Sequence, residues 1–343
     1  MHDKPPSGSP ARRPGSPLLA GLDVGGTKLG LCIGDADGRV LARDRIATDP
    51  TRPAAELLAA SLARLRELAT GLSAGPIAAL GLAVPGPLSY AEGRLLEVPN
   101  LPLWQFFPLL DWLQRESPWP ASFMNDANAS MLAEALWGAA RGTQSAVFLT
   151  MSTGMGAGLW LDGRVYEGPR ALAGEIGHLR LRDDGPVGFG VRGSVEGYCS
   201  GPGIVQVAEA ERLAAQQAGL ATRLLGLDPI TPKDVCELAL AGDTAALAVI
   251  QRCGRELGRL CAILADVLDP ELIVLGTIGT AYFELFAPWV RAGLEADAIR
   301  GAVTRVRVSP SLLEDRGNQT ALAVARRLLD APPSPLRNPA GTP

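Results

Sequence analysis

Histidine is almost missing from this chain: His2 lies in a Pro-, Ser- and Gly-rich tail, His178 lies in the body, and there are no others. A mechanism that needs two histidines is excluded, and so is a metal site built mainly of imidazole. Lysine is nearly as scarce, with only Lys4, Lys28 and Lys233. The cysteines at 32, 199, 236, 253 and 261 are odd in number, scattered, and never spaced as CxxC. Reduced thiols in a packed interior are the plain reading, and a disulfide framework is not. No apolar run reaches the roughly 18 residues of a membrane span. The N-terminal tail carries Lys4, Arg12 and Arg13, but no apolar stretch of secretory length follows. A cytoplasmic protein that engages no membrane is expected. The balance of 32 basic against 36 acidic residues, net −4, lacks the basic excess of a nucleic-acid binder.

What is present suffices for packed cores. The chain has 343 residues, 47% of them hydrophobic, enough for one large domain or two medium ones. Residues 1–17 and 331–343, rich in Pro, Ser and Gly, are expected to be disordered tails. From Leu18 the pattern predicts a strand, a turn at Gly25-Gly26, a strand from Lys28 to Gly34, a turn through Asp37-Gly38, and a strand from Val40 to Ile46. A helix from Pro53 to about Thr70 carries a leucine stripe, and the strand Ile77–Val84 ends in Pro85-Gly86-Pro87. This order is not the βαβ alternation of a dinucleotide-binding domain. The second half opens alike: a strand Ala146–Met151, a Gly-rich turn Ser152–Gly158, and then Asp162-Gly163-Arg164-Val165, which repeats Asp37-Gly38-Arg39-Val40. Two related halves are expected. Beyond Gly203 the chain reads as helical, broken by one buried strand, Leu272–Leu275, and closed by a helix from about Gln319 to Leu329.

Three glycine turns each follow a buried strand. Asp23-Val24-Gly25-Gly26-Thr27-Lys28 offers a carboxylate, free backbone N–H groups, a hydroxyl and an ammonium, suited to phosphate and hydrated Mg²⁺. It lacks the spacing of a Walker loop. The others are Ser152-Thr153-Gly154-Met155-Gly156 and Gly276-Thr277-Ile278-Gly279. One such turn alone would be an ordinary hairpin; three suit a nucleotide held between two lobes.

Asn125-Asp126-Ala127-Asn128 precedes a helix read from Ala129 to about Gly138. Two readings stand. Asp126 is placed to take a proton from a substrate hydroxyl, or the segment is a helix N-cap, a part Asn128 could fill. Further on come Gly174-Glu175-Ile176-Gly177-His178 and Glu196, acids and an imidazole of the kind a polyhydroxylated ligand requires.

These residues resemble the ROK family (repressors, open reading frames and kinases), nearest to its glucokinase-type sugar kinases. LDVGGTK resembles the family's first phosphate segment and TMSTGMGAG its second. VPGPL with VPNLPLW resembles the segments lining the sugar pocket, NDANA with Glu134 the catalytic segment, and GEIGH the sugar-binding ExGH motif. The resemblance spans about Leu19 to Leu328. It implies two ribonuclease-H-like lobes of the actin and hexokinase superfamily, an α/β fold with the active site in the cleft between them. The lobes are expected at 18–139 plus 316–330 and at 140–315.

By the same resemblance Asp126 is the general base. Asn100, Asn125, Glu175, His178 and Glu196 contact sugar hydroxyls, and Gly86 lies in the loop that closes over the sugar. Asp23, Gly25, Gly26, Thr27 and Lys28 fall on the phosphate and Mg²⁺ side, Asp23 holding the ion through water. Thr153, Gly154 and Gly156 cradle phosphates, and Gly276 lies near the adenosine. The implied reaction is ATP-dependent phosphorylation of a hexose, glucose to glucose 6-phosphate first, with fructose, N-acetylglucosamine, N-acetylmannosamine and a polyphosphate donor as alternatives. A homodimer is expected, with no nucleic-acid partner. A non-catalytic sugar sensor is the alternative of another class. A family repressor would carry a winged-helix head before Asp23, where only 22 Pro-rich residues stand.

One segment departs from the family pattern. Where the family has a C-x-C-G-x-x-G-C zinc loop, this chain reads Gly188-Phe189-Gly190-Val191-Arg192-Gly193-Ser194-Val195-Glu196. Phe189 and Ser194 stand for cysteines, His178 alone of the ligand set remains, and Cys199 lies beyond the motif as a small buried residue. No zinc is expected, and burial of Phe189 beneath the loop is expected to offset the missing metal.

Overall fold

The computed structural model describes residues 16–72, 75–99 and 101–330; of the tails expected at 1–17 and 331–343, residues 1–15 and 331–343 lie outside the described residues. The chain divides into two compact units. The first takes in the chain up to Trp137, the short piece Pro169–Ala171 and the chain from Leu313; the second takes in Gly138–Gly168 and Leu172–Leu312.

The first unit is built on β1 (Leu18–Val24), β2 (Lys28–Asp35), β3 (Val40–Ala47), β4 (Ile77–Val84) and β5 (Ala121–Asn125), in the spatial order β3-β2-β1-β4-β5. The first three strands pair antiparallel; β4 and β5 add in parallel. The leucine stripe of α1 (Ala54–Gly71) buries Leu57, Leu58, Leu62 and Leu65 against one face of the sheet. The closing helix (Arg316–Asp330) packs on the sheet through Thr320–Ala325. That helix lies close enough to β4 that a Cβ at Gly81 would fall 2.2 Å from the Ala325 nitrogen, so the position admits only glycine.

The second unit repeats the plan. β6 (Ala146–Met151), β7 (Met155–Leu161), β8 (Arg164–Val165), β9 (Leu272–Leu275) and β10 (Arg307–Pro310) lie in the order β8-β7-β6-β9-β10, with the same division into antiparallel and parallel pairs. The repeated Asp-Gly-Arg-Val tetrapeptide marks the same place in both sheets, the turn from the second strand into the third. Gly38 and Gly163 take positive φ there, 81° and 71°. Helices α3 (Val195–Cys199), α4 (Gly201–Gln217) and α5 (Thr244–Leu268) follow; α3, α4 and α5 bury Cys199, Ile204, Leu257 and Cys261 in one core with Leu149 and Leu275. All five cysteines are buried free thiols. Among the described residues no helix is long and apolar enough to cross a membrane.

Several boundaries differ from expectation. β7 starts at Met155 because Gly156 and Gly158, read above as turn residues, lie inside the strand opposite Thr150 and Phe148. The chain beyond Gly203 holds a second strand, β10, whose pattern Arg-Val-Ser-Pro alternates as an edge strand does. Helix α2 begins at Asp126, three residues before the expected start (Asp126–Trp137), and the closing helix at Arg316.

Candidate functional site

Within the first unit the turn from β1 to β2 is closed by the Gly25 N–H donating to the Lys28 carbonyl at 3.0 Å. Thr48 Oγ1 donates to the Gly25 carbonyl, which braces the turn from outside at 2.8 Å. Gly26, Thr27 and Lys28 stand exposed at the tip. Asp23, the penultimate residue of β1, stands against the start of the closing helix, where a Cβ at Gly317 would lie 2.7 Å from Asp23 Oδ2. Burial above all, and then the Asp126 carboxylate, push the Asp23 carboxyl up to about 7, against the opposing pull of Arg316 and Lys28. Asp23 and Asp126, far apart in sequence, thus share one electrostatic environment.

The parallel strand β5 delivers Asn125 and Asp126 to the open end of α2. Asn125 is the cap: its Oδ1 accepts from the N–H groups of Ala127 (3.0 Å) and Asn128 (3.3 Å). Asn128, which the sequence offered as a cap, is instead buried in the first turn of the helix. Asp126 opens α2 with an exposed side chain whose Oδ1 accepts from the Ala127 N–H at 2.9 Å. A carboxylate belongs at this end of the helix dipole. The Asn125 Nδ2 faces Gly86, in the loop after β4, and would lie 3.0 Å from a Cβ there. Glu134, fully buried one face along α2, acts on the charge of Arg316, as Asp23 does. Asn100 lies outside the described residues.

In the second unit the segment Gly174–His178 lies against the backbone of β7. The Ala157 N–H donates to the Gly174 carbonyl at 2.8 Å, and a Cβ at Gly177 would meet the Met155 carbonyl at 2.3 Å. These glycines bring exposed Glu175 and His178 to the β6–β7 turn, where Thr153 is exposed and Gly154 half-buried. Glu196 reaches the same turn: its Oε2 accepts from the Met155 N–H at 3.1 Å and leaves 3.0 Å for a Cβ at Gly154. Burial raises the Glu196 carboxyl above its ordinary value, Met155 and His178 oppose the rise, and Glu175 adds to it. Glu175, His178, Glu196 and the turn therefore form one cluster. Gly156 lies in β7. Gly276 is buried, its N–H given to the Leu149 carbonyl at 2.8 Å, with the Phe148 ring 2.4 Å from where its Cβ would be. The turn itself is taken by the next residue, Thr277, half-buried at φ 47°.

The segment aligned above with a zinc loop is a β-hairpin. Val187 pairs with Arg192 and Gly188 with Val191, leaving Phe189-Gly190 as a two-residue turn with φ of 46° and 74°. A turn position projects its side chain outward, so Phe189 is 59% exposed and not buried beneath the loop, contrary to expectation. Its ring stacks on His178 at 5.1 Å and 27°. Ser194 caps α3, its Oγ accepting from the Gly197 N–H at 3.1 Å. Cys199 is fully buried, and burial pushes its thiol well above the usual range. Phenylalanine, a capping serine and a core thiol do not make a zinc donor set. Among the described residues no three His, Cys, Asp or Glu side chains are grouped to hold a metal. Arg182 ties the segment before the hairpin to α5, its Nε donating to the buried Glu256 Oε1 at 2.9 Å.

The ROK family model matches residues 19–327. The chain belongs to the ROK family. The glucokinase of Halalkalibacterium halodurans is 31% identical over 260 residues, 75% of this chain and 78% of that protein. The N-acetylmannosamine kinase of Pasteurella multocida is 33% identical over 272 residues, 79% of this chain and 84% of that protein. Among solved structures, a ROK family glucokinase from Streptomyces griseus in complex with glucose and AMPPNP matches with a TM-score of 0.75 and 28% identity, over 90% of this chain and 99% of that one. The two-sheet α/β architecture of this ROK protein is that of the actin-like and hexokinase-like family fold. Sequence reasoning placed Phe189 beneath the loop and read Ser194 only as a lost ligand rather than a helix cap, and it passed over Gln206 and Arg182. An X-Gly pair between two short alternating segments was the available signal for the turn at Phe189.

Proposed function

We propose that this ROK protein is an ATP-dependent sugar kinase that phosphorylates a hexose, glucose on its 6-hydroxyl first, with Asp126 as general base. The observation that carries the reading is the placement of Asp126. It is an exposed carboxylate at the head of α2, beside a capping amide and in the field of Asp23 at the Gly-rich turn. In the reaction Asp126 accepts the proton of the attacking hydroxyl as its oxygen bonds to the γ-phosphorus and the bond to the ADP oxygen breaks. Glu175, His178 and Glu196 hold the sugar hydroxyls, each a donor or acceptor to match. The exposed tip Gly26-Thr27-Lys28 and the turn Thr153-Gly154 bind phosphate oxygens. Asp23 and Thr27 fit a Mg²⁺ that arrives with the nucleotide, because a divalent cation offsets the cost of a desolvated Asp23 carboxylate and its repulsion from Asp126. When bound, that ion spreads the negative charge of the phosphates. The rest is alignment of two reactants.

The 33% identity to an N-acetylmannosamine kinase favours a second substrate reading, phosphorylation of the N-acetylated hexosamine by the same residues. An assay coupled to ADP release, run with ATP and Mg²⁺ over glucose, fructose, mannose, N-acetylglucosamine and N-acetylmannosamine, separates the two. Glucose is expected to give the highest kcat/KM. Activity only on an acetylated sugar selects the second reading, and turnover of none overturns both.

A further inference from the structure

Nothing in a short helical turn fixes the ring of an exposed histidine, so what touches the His178 ring sets its orientation. The Phe189 ring lies on it, stacked at 5.1 Å. Phe189 reaches that place from an unfavourable position. It is the first residue of a two-residue hairpin turn whose residues both have positive φ, a place that suits Asn or Gly and strains a bulky side chain. The hairpin itself is fixed at its base. The Gln206 side chain on α4 takes the Val187 N–H and gives back to the Val187 carbonyl, both at 2.9 Å. Gly188 packs so tightly on α3 that a Cβ would lie 2.7 Å from the Gly197 nitrogen. A rigid base, a strained tip and an exposed ring aimed at one imidazole are a combination that folding alone does not call for.

We infer that Phe189 is a positioning residue: it clamps the His178 imidazole in the orientation that receives the sugar. The inference rests on the sugar-kinase reading for its consequence, but not for the clamp itself. Phe189→Asn places the favoured Asn-Gly pair in the turn, so the variant keeps the hairpin and removes only the ring. Phe189→Tyr keeps the ring.

The chain has two histidines, so the His178 ring protons can be assigned by comparison with His178→Gln. In the wild type these protons lie over an aromatic face and resonate upfield; they are expected to move downfield in Phe189→Asn and to stay in Phe189→Tyr. In the same proteins the sugar KM is expected to rise about tenfold in Phe189→Asn with kcat and the ATP KM little changed, and to return in Phe189→Tyr. The melting temperature of Phe189→Asn is expected to be no lower than that of the wild type. Unmoved His178 signals overturn the clamp. Moved signals with an unmoved sugar KM overturn its positioning role. A wild type that turns over no hexose removes the kinase reading and leaves the clamp to be decided by the ring-proton shift alone.

Discussion

Asp23 is a carboxylate kept where ionisation costs the fold. Its carboxyl is raised to about 7 by burial and by Asp126, so the folded chain holds this proton more tightly than the unfolded chain, where an aspartate titrates near its ordinary value. A raised carboxyl draws stability from the native state as it ionises: the loss begins above about pH 4 and is complete once the pH passes about 7. Asp23→Asn cannot ionise. The melting temperature of that variant minus that of the wild type should therefore widen between about pH 4 and pH 7 and level off above it. A difference that stays constant over that range would remove the buried, coupled carboxylate from the account. In the proposed kinase, the same unfavourable charge is what draws a cation to the β1–β2 turn. Part of this was legible beforehand. Asp-Val-Gly-Gly-Thr-Lys gave the turn and its donors, but the coupling to Asp126 depends on β4 and β5 adding in parallel beside β1, a long-range pairing that a linear pattern does not contain.

Among the elements, the hairpin Val187–Arg192 packs directly on the short helix that carries Glu196. Ser194 caps that helix, Gln206 anchors the hairpin, and Arg182 bonds to Glu256 on α5. A structural zinc site takes about four thiolate or imidazole ligands, and these residues supply polar and aromatic contacts in their place. Prolonged chelation should then leave the melting temperature unchanged, and activity should return in full when Mg²⁺ is restored. Stoichiometric zinc in the purified protein by elemental analysis would contradict this. The elements that were hard to read share a cause. Gly156 and Gly158 are turn residues by composition but strand residues by pairing, β10 is short and half-polar because it is an edge, and α2 starts early because Asn125 rather than Asn128 caps it. In each case a neighbour, not the local sequence, makes the choice.

At the scale of the molecule, two sheets with one strand order reflect a duplication that four residues announce. In Asp37-Gly38-Arg39-Val40 and Asp162-Gly163-Arg164-Val165 both turns place glycine at positive φ between the second and third strands. The buried strands, the leucine stripe of α1 and the closing helix were equally plain. The chemistry was less so. Spacing alone left Asp126 as either a base or a cap, and the resemblance to sugar kinases favoured the base; the structure gives the capping role to Asn125 Oδ1. In the proposed reaction Asp126 moves the proton in phosphoryl transfer. The most direct test of that role is Asp126→Asn, which keeps the shape and hydrogen-bonding capacity of the side chain and removes its basicity. Sugar affinity by titration calorimetry should be nearly that of the wild type, while kcat should fall by about 10²–10⁴-fold. A variant that keeps more than about a tenth of the wild-type kcat would contradict the assignment of Asp126 as base.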